Sequence, residues 1–197
     1  RFKDHELAPA LVFAAGDAHH KLKEFEQAER LYERVGDRYS RSEWVDDGVQ
    51  AMVRLAWERA DYERVIQLST RFIEQHEASA LLPLVQQMAA RAYLKRSEFE
   101  PAVALLKPSL AAALKQETLQ QETLKDETQS NSSRPENASG ASISSDQRQA
   151  KITANSARYY LALAYMGSEQ YDKALEQLDA LPEMEEPQKL AGGVLVA

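Results

Sequence analysis

The residue pair in this chain best suited to bind a metal or move a proton is His19-His20, the only adjacent histidines. On a helix, neighbouring side chains point about 100° apart, so the two rings cannot close on one ion. Core or surface histidines are the expected reading, and His5 and His76 stand alone. The acids Glu183, Glu185 and Glu186 read as a solvated run, and Gly192-Gly193 as a turn. No glycine-rich phosphate loop, His-Glu-x-x-His pair or nucleophile elbow occurs. The chain has no cysteine, which excludes disulfides, thiolate metal sites and cysteine nucleophiles. Asn131-Ser132-Ser133 and Asn137-Ala138-Ser139 match the glycosylation sequon, as a serine-rich tract does by chance. The expectation is a protein that is not an enzyme and carries no metal or cofactor.

What could hold any site in place is helix. The 197 residues include only 7 Gly and 7 Pro, and good helix formers dominate. With 44% hydrophobic residues there is enough apolar matter for a core, while 28% charged residues and a mean hydropathy of -0.53 fit a soluble chain. A net charge of -7 opposes a nucleic-acid partner, because phosphate binding requires a positive field. No apolar run approaches the roughly 20 residues of a membrane span. Arg1 in place of Met reads as the start of a piece cut from a longer protein, so both cytoplasm and bacterial periplasm stay open.

Four strings repeat: Glu24-Phe25-Glu26-Gln27-Ala28, Asp61-Tyr62-Glu63-Arg64-Val65, Glu98-Phe99-Glu100-Pro101-Ala102 and Gln170-Tyr171-Asp172-Lys173-Ala174. Their aromatics lie 37, 37 and 72 residues apart. Nine before each aromatic stand Gly16, Val53, Ala90 and Ala162; six before, His19, Ala56, Tyr93 and Tyr165; seven after, Tyr32, Ser69, Leu106 and Leu178. These spacings give one buried stripe on each side of the aromatic, hence a helix, a tight turn and a second helix. Small residues let the pair approach closely. The acid after each aromatic suits the positive end of the second helix, and Pro101 suits its first turn.

The pattern resembles the tetratricopeptide repeat. Gly16, Phe25, Ala28 and Tyr32 carry the likeness in the first unit, Ala90, Tyr93, Phe99, Ala102 and Leu106 in the third, and Leu161-Ala162, Tyr165, Tyr171, Ala174 and Leu178 in the fourth. The second unit matches less well, the closing proline is absent, and the period of 37 exceeds the usual length of about 34. It is loosely similar to the longer repeats of bacterial envelope proteins. The resemblance implies an all-α solenoid: helix-turn-helix repeats stacked in a right-handed superhelix. First helices would line a groove, with Lys21, Arg54, Trp57, Arg91, Leu94, Lys95 and Tyr159 as candidate peptide-binding residues. Arg54, Arg91 and Lys95 read as a basic strip flanked by Trp57 and Leu94.

The organisation expected is three repeats over 1-114, a disordered polar insert over 115-150, a fourth repeat over 151-186, and the start of a further element over 187-197. The insert reads as disordered, with room for a helical start, because its Gln, Glu, Thr, Ser and Asn bury too little apolar area to offset ordering entropy. The functional expectation is a protein-protein interaction scaffold that holds a peptide or partner domain, an acidic segment among the candidates. The alternative is a structural or regulatory arm of a larger enzyme or envelope assembly, packed on other domains of its own chain.

Overall fold

In the computed structural model, which describes residues 6-130 and 145-182, the chain folds into helices alone, with no strand among those residues. In order they are α1 (Ala8–Lys21), α2 (Phe25–Arg38), α3 (Val45–Glu58), α4 (Tyr62–Gln75), α5 (Leu82–Lys95), α6 (Phe99–Ser130), α7 (Ser145–Gly167) and α8 (Tyr171–Asp179). α1, α3 and α5 begin 37 residues apart, as do α2, α4 and α6. Each helix packs on the next, and the core forms three clusters in sequence: α1 to α3 around Tyr32 and Leu55, α3 to α5 around Val53 and Met88, and α5 to α8 around Leu106 and Leu161. This is an all-α stack of helical hairpins, in which each repeat buries its apolar face against its neighbours.

The turn inside each hairpin follows one design. Lys23, Ala60, Ser97 and Glu169, each two residues before its repeat's aromatic, all have φ between 56° and 63°. The next amide donates five residues back (Glu24 to His19, Asp61 to Ala56, Glu98 to Tyr93, Gln170 to Tyr165). The left-handed residue's own amide closes the inner bond, as from Lys23 to His20. This Schellman arrangement satisfies carbonyls at the end of the first helix, usually with a glycine at the left-handed place. Here four non-glycine residues accept that conformation. Glu26, Glu63, Glu100 and Asp172 lie in the first turn of each second helix, as the sequence suggested.

A serine shapes the turn between hairpins at two equivalent places. Ser42 and Ser79, 37 residues apart, each accept from the amide two residues on (Trp44 and Leu81, both 3.2 Å), turning the chain into α3 and α5. Pro9 and Pro83 then stand at the starts of α1 and α5, where no amide donor is needed.

The structure departs from the expected insert boundaries. α6 continues without a break through residues 115-130, and α7 begins at Ser145, so residues 145-150 are helical as well. Ala113 and Ala150 are both buried in this longer hairpin. The physical reason is that residues 99-114 already nucleate α6 on the core, and extension through Gln, Glu, Leu and Lys then costs little. Composition counted the missing apolar area and allowed a helical start, but not that the start runs on to Ser130. Residues 131-144, both sequons, the Glu183–Glu186 run and the element expected over 187-197 lie outside the described residues.

Candidate functional site

Side chains of successive first helices meet, at one point through equivalent places. Arg54 of α3 pairs with Asp17 of α1 at 3.1 Å, each eight residues before its own aromatic. Gln87 of α5 donates to the Thr153 carbonyl of α7 at 3.3 Å. The guanidinium of Arg91 lies 4.3 Å from the centre of the Trp57 ring and 5.6 Å from that of Tyr160. Arg91 thus ties α3, α5 and α7 together through its planar face.

The row changes character along its length. At the α1 end it is internally satisfied. Asp17 accepts from the Tyr32 hydroxyl at 2.7 Å as well as from Arg54. Burial pushes the Tyr32 phenol well above its ordinary pKa, Asp17 adds to this, and Arg54 opposes it. The hydroxyl therefore stays a protonated donor and cannot act as a base. His20, which is buried, places Nδ1 3.4 Å from that hydroxyl and Nε2 3.1 Å from the Glu58 carboxylate. The Nε2 contact is at ion-pair distance but lacks hydrogen-bond alignment. Glu58 also holds Lys23 at 3.2 Å. Burial alone would raise the Glu58 carboxyl, but Lys23 and His20 outweigh it and hold it below its ordinary value.

In the middle of the row, no acid among the described residues pairs with Arg91 or Lys95, and Lys95 is exposed. Trp57 is half-buried against the α3 to α5 cluster, with its ring 5.3 Å from that of Tyr62. At the α7 end Tyr159, Leu163 and Met166 are exposed apolar residues, and Tyr159 rests edge-on against Tyr160 at 5.3 Å.

Of the residues singled out from sequence, Arg54, Trp57 and Arg91 fall into this row, and Tyr159 joins it through Tyr160. Leu94 is half-buried and packs on the α5 to α8 cluster. Lys21 is exposed at the end of α1. The basic strip is interrupted, because the charge of Arg54 is matched by Asp17. Of the histidine pair it is His20 that is buried, while His19 is half-exposed beside Glu24. The polar chain from Arg54 through Asp17, Tyr32 and His20 to Glu58 was not foreseen. Its one sequence signal is that opposite charges, Asp17 and Arg54, occupy the same place in successive repeats. Among the described residues no three of His, Asp and Glu converge as a metal site would require, and no helix is long and apolar enough to cross a membrane. No protein-family model matches the chain, and no curated protein matches it in sequence.

Proposed function

We propose that the chain is a binding scaffold of the tetratricopeptide type that takes a protein segment along the row of first helices, centred on α5 and α7. One observation supports this above the others: Arg91, which pairs with no acid among the described residues, stands between Trp57 of α3 and Tyr160 of α7, with Lys95 exposed one helical turn on and Tyr159 exposed beside Tyr160. At the α1 end of the row Arg54 and Asp17 already match each other. The fitting partner is a peptide or helix with a carboxylate beside one or two large apolar side chains. Arg91 is held by the Trp57 and Tyr160 rings, 4.3 and 5.6 Å from its guanidinium, so less side-chain entropy is lost when it binds a carboxylate.

An array of synthetic peptides combining acidic and apolar residues, read against wild type and the double change Arg91→Gln and Lys95→Gln, tests the reading. The double change should weaken captured peptides about tenfold or more if the ion pairs are desolvated, and flatten the salt dependence. Arg54→Gln should leave peptide affinity near wild type, since Arg54 serves Asp17. Equal affinities for wild type and the double variant at low and high salt would remove this row as the binding site.

A further inference from the structure

Both ends of the stack expose apolar faces that interior repeats bury. On α1, Leu11, Ala14, Ala15, Ala18 and Leu22 are all exposed and recur at helical spacing along one side. One repeat on, the place of Leu11 is held by Gly48, Val85 and Ala157, and that of Ala18 by Leu55, Ala92 and Ala164; all six are buried. These are the places where a first helix meets the second helix before it: a Cβ on Gly48 would lie 3.3 Å from the Tyr32 carbonyl oxygen and 3.4 Å from Val35 of α2. At the other end, Leu178 of α8 is 39% exposed, whereas its counterparts Tyr32, Ser69 and Leu106 are at 0%. Tyr171 and Leu175 beside it are 60% and 57% exposed. Terminal repeats of a solenoid normally turn a polar face outward. Among the described residues neither end does so.

The two faces fit each other at places that one interior junction already pairs. Where the second repeat meets the first, Arg59, three before its aromatic, pairs with Glu29, four after its own, at 3.5 Å. The same two places in the first and last described hairpins hold Leu22, 68% exposed, and Leu175. The ion pair of that junction is thus replaced by an apolar pair, one member in each outer hairpin. Likewise Leu11 would meet Leu178, as Gly48 meets Tyr32.

We propose that a second copy of this chain seats its α1 on α8 of the first, continuing the repeat interface from molecule to molecule. Such a contact is heterologous, so each copy keeps one free face and the assembly grows with concentration.

Sedimentation of the whole chain from micromolar to millimolar concentration, with helix content followed by circular dichroism, tests this. Wild type should rise steadily above the monomer mass of 22.2 kDa. Ala18→Glu blocks the α1 face and Leu175→Glu blocks the α8 face; each replaces an exposed side chain, and each alone should stay monomeric with unchanged helix content. An equal mixture of the two should stop at twice the monomer mass, joined through the one face each variant retains. Three results would overturn the proposal: a wild type that stays monomeric throughout, as it would if another helix sealed either face; a single variant that associates like wild type; or a mixture that stays monomeric while wild type associates.

Discussion

Gly16 shows how closely a single residue can be constrained. A Cβ there would lie 2.7 Å from Cε1 of Tyr32. That ring cannot step aside, being fully buried with its hydroxyl bound to Asp17. Gly16→Ala should therefore cost about 1–3 kcal/mol by overpacking, read from the urea midpoint. A midpoint equal to that of wild type would show that the ring can move. Glu58 sets a pH dependence at the same scale. Its carboxyl is held below its ordinary value by Lys23 and His20 despite partial burial. Its stabilising share is therefore full above the unfolded pKa of about 4.3 and is lost as pH falls through the lower folded value. Glu58→Gln should lower stability at neutral pH, and the gap to wild type should close below about pH 4. A gap that persists in acid would assign the effect to packing.

Each hairpin turn places an ordinary residue where glycine is favoured. Ala60 has φ 56°, and a Cβ in the left-handed region costs roughly 1–2 kcal/mol, part of which glycine's greater freedom in the unfolded chain offsets. Ala60→Gly should therefore raise stability by about 0.5–1 kcal/mol without changing the helices, visible as a higher melting temperature. A lower one would mean that helix-end entropy outweighs the relief of strain. The repeat itself was legible in sequence because small and aromatic residues return at fixed offsets. The place of each turn was legible too, but its left-handed conformation was not, since Lys23, Ala60, Ser97 and Glu169 share that conformation and no chemistry. The long α6–α7 hairpin escaped for a related reason. Residues 115-130 have the composition of a solvated tract, and only the docked first half of α6 turns that tract into a helical extension.

Across the whole molecule, contacts run from each repeat to the next, so stability should divide by position. Leu106 is fully buried in the cluster that joins α5 to α8. Leu106→Ala should cost about 2–5 kcal/mol. Hydrogen exchange should show the loss of protection concentrated in α5 to α8, with α1 and α2 the least affected. Uniform loss along the chain would show that the stack melts as one unit.

The four aromatic-centred strings, with their 37-residue period, determined the helical hairpins, their order and the stripes that pack between them. They could do so because periodic burial is written into residue size and polarity along one strand of text. The candidate row was legible only as an alignment of equivalent places. That Asp17 neutralises Arg54, that Arg91 stands between Trp57 and Tyr160, and that His20 and not His19 turns inward were decided by tertiary structure. Each of these depends on which side chain of a neighbouring repeat comes within a few ångströms, a distance between residues 12 to 69 positions apart in the chain.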